Sequence, residues 1–542
     1  MFPNVKQGSI SLENQTMIPT TLSVYLEDVL CDKAIALVSL FLPKCNFRKG
    51  DANADIVAKK SDELSNIPEG YTLSVKNGKT FIEYYTYSGL RNALATFSLI
   101  VTEKDGAFVV PDAHIRDFPE CVHRGMMLDL ARGIVPLERL FNDMVLIAKS
   151  KYNILHLHLS DTAGVAIALD CLPEEYRIEN CYTKKQISEI VSFAELLGFE
   201  IIPEFDMPAH SEKLNALLPE LSCQIEGDNK SLWAVCAGTE AVYNLYEKVI
   251  SEMIALFPKG RYFHIGGDEL DFLDANPPLV CHWDECVKCK KKMQEEKLAD
   301  KRELYYYFVN RINEYVKANG RQMVMWSDQI DCTRPAMLSK DILMQFWRIA
   351  EVGRGPWEGC SLQGQLDMGY NMINSFYPNA YVDEEVYLTA EKLSQWRWDT
   401  MPEISEQSRA LIVGSEICAW EYGNRKSFAF YDHSLPSAIV LAGDKLWSGS
   451  MQEYDKDTEI WVTRAVLGTG VPSGFNVFDA IGNIYPPRST EKPCYLEKIQ
   501  CTKEDVKKVI DVLSDDTRFA SGDKNRATAY LICAEFALKH MQ

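Results

Sequence analysis

The stretch Lys151-Tyr152-Asn153-Ile154-Leu155-His156-Leu157-His158-Leu159-Ser160-Asp161 decides the fold. Its middle, 153–159, is a short apolar strand, and its end carries His158 and Asp161. Seven further runs share that design, at 124–130, 199–205, 261–265, 322–326, 342–347, 370–375 and 411–417. Between them lie amphipathic stretches such as 136–150, 184–197, 239–257, 301–319 and 433–446, with apolar residues at helical spacing. Near-continuous apolar strands alternating with helices imply a parallel sheet covered on both faces. Eight such units predict a (β/α)8 TIM barrel, an α/β fold. A doubly wound open sheet is the alternative, but no strand is followed by a Gly-rich phosphate loop.

Polar and aromatic residues gather where these strands end: Asp129 and Arg132, His158 and Asp161, Glu204, Asp206 and His210, Asp268 and Glu269, Trp326 and Asp328, Trp347, Trp420 and Glu421. In such a barrel the strand C-termini share one mouth, and that mouth holds the active site. Strand-to-helix turns favour Asp as helix caps, but capping does not call for tryptophan. The mouth is therefore expected to be a working pocket.

Around that barrel the chain has 542 residues, room for two to four domains and a large core. Hydrophobic residues make up 46% and charged residues 25%, the composition of a folded soluble protein. The net charge of −20 repels phosphate backbones, so no nucleic-acid partner is expected. No apolar run approaches the roughly 20 residues needed to cross a bilayer, so no membrane partner is expected either. The first residues lack a basic segment followed by an apolar run. With 16 cysteines at scattered spacings, this reads as a cytoplasmic protein with reduced thiols.

Three domains are expected: 1–118, a small accessory α+β domain; 119–450, the barrel; and 451–542, a mainly helical extension. In the first, 71–75 and 81–85 read as strands around a turn and 88–102 as a helix. Two prolines bracket a polar, linker-like stretch at 111–120. In the last, 503–513 and 522–541 have helical periodicity and are expected to pack on the barrel or at a subunit interface, the second of which would make a homodimer.

The segment Tyr262-Phe263-His264-Ile265-Gly266-Gly267-Asp268-Glu269 closes the fourth strand. Adjacent side chains of an extended strand point to opposite faces, but two glycines just before the carboxylates let the backbone bend. The pair then reaches two atoms of one substrate. A common retaining glycosidase instead has two carboxyls flanking the bond about 5 Å apart. The pattern suits one acid acting on a leaving oxygen, with its neighbour orienting a group beside the reacting carbon.

HIGGDE (264–269), together with RGMMLDLAR (124–132), KYNILHLHLSD (151–161), IPEFDMPAH (202–210) and MVMWSD (323–328), resembles glycoside hydrolase family 20, the β-N-acetylhexosaminidases. EGYTLSV (69–75), SGLRNALATFS (88–98) and IRDFPE (115–120) are similar to that family's accessory domain. The resemblance implies an exo-acting enzyme that removes terminal GlcNAc or GalNAc from β-linked glycans with retention, without cofactor or metal. Glu269 would be the general acid, Asp268 would hold the 2-acetamido group, and Tyr381 would donate to the acetamido oxygen. Arg132 would grip ring hydroxyls, Asp161 and His210 would form a supporting pair, and Asp383 would bind a sugar hydroxyl. Trp326, Trp347 and Trp420 would wall the pocket, and Glu421 follows in the position nearest the family's late carboxylate. Gly133, Thr162, Val165 and the shortened Trp420-Glu421 depart from the family pattern. These departures leave open a preference for sulfated or disaccharide units, or a sugar-binding protein without turnover.

Other residues draw quieter expectations. Cys286-x-x-Cys289, with Cys281 and His282 nearby, has zinc-ligand spacing, but no second such pair follows, so a structural role is expected. His156 is expected to turn away from the pocket and serve packing. His123 and His264 suit satisfied barrel positions as well as ligands. Trp396 and Trp398 are expected to anchor a loop.

Overall fold

Eight parallel strands close into a barrel in the computed structural model, at His123–Asp129, Ile154–His158, Glu200–Met207, Tyr262–Gly266, Gln322–Trp326, Leu343–Phe346, Met372–Asn374 and Ile412–Ala419. We number them first to eighth. Each pairs in parallel with its neighbour, and the eighth returns to the first through partners such as Glu416 with Gly125. The structure describes residues 4–450, apart from 28, 105–106, 226–229, 272–278, 335–336, 348–360, 383–387, 389, 395, 400–403 and 424–427, and Lys507 beyond them. The expected extension 451–542 and Asp383 therefore lie outside the described residues.

The helices fall where the apolar spacing places them, including Leu137–Lys149, Lys184–Leu197, Glu240–Leu256 and Lys301–Ala318. Local signals set their ends. Thr183 and Gln186 form a reciprocal capping box at the start of Lys184–Leu197, and Gly198, at φ +74°, ends that helix in the left-handed conformation. The strands are buried on both faces, as covering helices require.

Ahead of the barrel, helices Cys31–Phe41 and Tyr87–Ile100 accompany a mixed sheet. The hairpin read from sequence is present as Tyr71–Lys76 and Lys79–Tyr84. The linker expected at 111–120 is corrected. Residues up to Asp117 belong to the long strand Ala107–Asp117, which pairs with both Gln7–Ile18 and Tyr71–Lys76. Pro111 is tolerated there because its partner strand shifts register between Ser11 and Gln15, where a missing ladder donor costs little.

Buried cations fasten this sheet to the barrel. Lys151 Nζ lies 3.0 Å from the Asp117 carboxylate, and the buried Arg91 donates to the carbonyls of Tyr152 and Leu197. Of the cysteines described, eleven are free thiols. Cys332 is disulfide-bonded, which corrects the expectation of reduced thiols throughout. Among the described residues no helix is long and apolar enough to cross a membrane.

Candidate active site

The strand ends do share one mouth, which holds a cavity of about 340 Å³. Its walls bring together Arg132, Asp161, His210, Asp268, Glu269, Trp347, Tyr381, Trp420 and Glu421 from the sequence-derived set. Asp206 and Tyr377 complete the lining.

The chain turns sharply after the fourth strand. Gly266 and Gly267 take φ +68° and +91°, and a Cβ on Gly266 would lie 1.9 Å from Asp206 Oδ1. That turn swings Asp268 and Glu269 into the same cavity. Glu269 itself is left-handed, at φ +51°, as are His210 at +52° and Glu421 at +56°. Non-glycine residues in this region cost on the order of 1 kcal/mol or more and persist only when their surroundings hold them. Here the Glu269 N–H donates to Asp328 Oδ2 at 3.0 Å and its carbonyl accepts the Trp233 indole N–H at 2.9 Å. The Glu421 N–H donates to Asp129 Oδ2 at 2.8 Å.

His210 stands at the centre of the acids. Its Nε2 is 3.4 Å from Glu269 Oε2, 3.8 Å from Asp268 Oδ2 and 4.0 Å from Asp206 Oδ2, and its Nδ1 is 3.5 Å from Asp161 Oδ1. Burial works against a charged imidazole, but Asp206 and Asp161 outweigh it and hold the ring well above its ordinary pKa. Burial, reinforced by the charge of Asp206, pushes the Asp268 carboxyl well above the usual carboxylate range. Its buried Oδ1 has no hydrogen-bond partner among the described residues.

Arg132 is fixed differently. It meets Asp129 Oδ2 and Asp161 Oδ2, each at 2.8 Å, and lies over the Trp420 ring. Against the cost of burial, Arg132 and His210 hold the Asp161 carboxyl well below its usual range. Thr162, one of the departures from the family pattern, gives both its N–H and its hydroxyl to Asp161 Oδ1. The Trp347 and Tyr381 rings run nearly parallel, 6.2 Å between centroids, and Tyr381 meets Trp420 at 5.9 Å. Such faces suit the C–H surface of a sugar and an acetamido methyl.

Two expectations are corrected. Trp326 does not line the cavity: it is buried beneath the aromatic wall, 5.7 Å from Trp420, with its indole N–H donated to Glu204 Oε1. His156 does not turn away from the barrel interior. Strand period two puts His156 and His158 on one face, so His156 lies a layer deeper, between Glu416 Oε2 at 2.8 Å and Glu204 Oε2 at 3.1 Å. His123 and His264 join the same buried network, on Glu416 and Glu204. His158 carries it to the surface of the cavity, bridging Glu204 and Asp161.

Sequence reasoning missed Trp233, Tyr377 and Glu416. Glu416 had a readable signal, a carboxylate inside an apolar strand. Trp233, whose ring lies 4.6 Å from His210, comes from the hairpin Ser222–Gln224 and Lys230–Val235, which no periodicity announced. The cysteines also differ from expectation. The second pair that Cys286 and Cys289 lacked nearby comes from the same hairpin, as Cys223 and Cys236.

A barrel mouth lined by an adjacent acid pair and by aromatic faces suits the binding and chemistry of a sugar. Residues 121–450 match the model of the glycosyl hydrolase family 20 catalytic domain, and residues 9–118 match that family's domain 2. The chain belongs to glycosyl hydrolase family 20 and is a glycoside hydrolase. A beta-hexosaminidase of Vibrio furnissii is 30% identical over 444 residues, spanning 73% of this chain and 67% of that protein. The beta-hexosaminidase alpha subunit of Rattus norvegicus is 24% identical over 416 residues, 73% of this chain and 74% of that one. In fold, the chain is similar to a chitobiase of Flavobacterium johnsoniae, with a TM-score of 0.72 at 21% identity, covering 98% of this chain and 86% of that one.

Proposed function

We propose that this hydrolase is an exo-β-N-acetylhexosaminidase, releasing terminal non-reducing GlcNAc or GalNAc from β-linked glycans by participation of the 2-acetamido group. The observation that carries the reading is the side-by-side placement of its two acids. Asp268 and Glu269 are sequence neighbours, and both carboxylates lie within 4 Å of the same His210 nitrogen. They leave one turn together and enter one cavity, and in this reading they approach a substrate from one side. A retaining enzyme with its own nucleophile needs its two carboxyls on opposite sides of the scissile bond.

In this reading Glu269 protonates the glycosidic oxygen as the C1–O bond breaks. The acetamido oxygen attacks C1 from the other face and closes an oxazolinium ring. Asp268, buried with an unpartnered Oδ1, accepts the acetamido N–H, and the positive charge growing on that nitrogen favours the ionised form that burial alone disfavours. Tyr381 donates to the acetamido oxygen and aligns it. Water, deprotonated by Glu269, then opens the ring at C1, and two inversions give net retention. Arg132, locked between Asp129 and Asp161, presents its remaining donors to ring hydroxyls.

Proton NMR of the first-formed sugar tests this reading. The β-anomer is expected to appear before mutarotation. An initial α-anomer would overturn the participation mechanism.

A further inference from the structure

We propose that Cys223, Cys236, Cys286 and Cys289 form a structural zinc site outside the catalytic cavity. The inference rests on where the fold brings four sulfurs. The hairpin that follows the third barrel strand supplies Cys223 on Ser222–Gln224 and Cys236 just past Lys230–Val235. The helix Val287–Glu296, after the fourth strand, supplies Cys289 on its first turn, and Cys286 immediately precedes it. All four are buried free thiols.

Their spacing is that of a single tetrahedral ion. The sulfurs stand 3.8 Å apart for Cys223 and Cys289, 3.7 Å for Cys236 and Cys286, and 3.5 Å for Cys236 and Cys289. The four sulfurs all lie within 4.8 Å of one another. A tetrahedron of sulfurs around zinc at about 2.3 Å has edges of about 3.8 Å. Disulfides would close two pairs to about 2.05 Å. An iron–sulfur cluster, with inorganic sulfide inside the cage, would hold the thiolates further apart.

The backbone is shaped for the same closure. A Cβ on Gly238, two residues past Cys236, would lie 2.3 Å from the Lys288 carbonyl carbon and 2.5 Å from the Cys289 nitrogen. Only a glycine lets the hairpin's end come this close to the helix. Cys281 and His282 belong elsewhere, with the Cys281 N–H donated to Asp271 and His282 paired to Glu285. The bound ion has a mechanical role. It staples the hairpin that carries Trp233, whose indole N–H holds the Glu269 carbonyl, to the helix that follows the catalytic turn. Four soft thiolates select zinc over harder divalent ions.

Metal analysis of the untagged full chain, purified under reducing conditions without chelator, tests the proposal. About one zinc per chain is expected, released by titration with a mercurial thiol reagent and detected with a chromogenic chelator. Cys286→Ser and Cys223→Ser should each lower the zinc content at least fivefold, while Cys171→Ser should keep it. The wild-type titration stands on its own if the serine variants fail to fold. Less than about 0.1 zinc per chain after incubation with zinc and reductant would overturn the assignment. So would iron in its place, or disulfides among these four cysteines found by peptide mapping.

Discussion

The backbone N–H of Glu269 donates to Oδ2 of Asp328 at 3.0 Å. Oδ1 of the same carboxylate accepts the Trp347 indole N–H at 3.1 Å, so one side chain fixes both the acid and the aromatic wall. Replacing Asp328 with Ala should free the left-handed turn at Glu269 and let Trp347 move. We expect kcat/KM to fall about 10- to 100-fold, shared between kcat and KM, since small misplacements of catalytic groups are costly. Steady-state kinetics unchanged from wild type would remove Asp328 from this role.

Glu269→Gln keeps the side chain's shape and removes its proton. We expect kcat on alkyl glycosides to fall by a factor of about 10²–10⁴, the usual contribution of a general acid. Aryl glycosides with acidic leaving groups should suffer less in the first step, because they depart without a proton. Circular dichroism and thermal melting should match wild type. Equal losses across leaving groups of very different acidity would argue against proton donation by Glu269.

Asp268→Asn and Tyr381→Phe probe the acetamido contacts. Both should weaken a thiazoline mimic of the oxazolinium more than they weaken GlcNAc itself, because the contacts strengthen as the ring closes. Isothermal titration of both ligands measures the difference. Parallel losses for the two would show that these residues bind the ground state only.

Lys149 offers a test of stability. Its ammonium is buried beside the Phe41 carbonyl at 3.1 Å, and burial lowers its pKa from 10.5 to about 7. The unfolded chain therefore binds more protons than the folded one between pH 7 and 10.5, and stability rises with pH across that window. The penalty is fully present below pH 7 and gone near pH 10.5. Lys149→Met should raise Tm by about 2–4 °C at pH 6.5, with the gap closing as the pH approaches 10. A gap that stays constant with pH would mean that Lys149 is not held neutral.

The barrel was legible because its strands are buried on both faces. Apolar runs such as 322–326 have few other places in a folded protein, and the helices between them keep their period. The acid pair was legible because two glycines precede it. What escaped were features made by contacts between distant segments. The hairpin that brings Trp233 to His210 has no long alternating pattern, and its two strands frame residues outside the described set. Pro111 read as a break because the bulge that tolerates it lies on the other strand. Trp326 read as a wall residue from its place at a strand end, but the side chain turns down to Glu204. The four cysteines read as a lone pair because the second pair arrives through the fold.

The central claim is that the substrate's own acetamido group is the nucleophile, and one comparison addresses it most directly. Hydrolysis of p-nitrophenyl β-GlcNAc and p-nitrophenyl β-glucoside should be measured side by side. The account predicts turnover of the first and none of the second, since glucose carries no group to close the ring. Comparable cleavage of both would require an enzyme nucleophile and would contradict the roles given to Asp268, Glu269 and Tyr381.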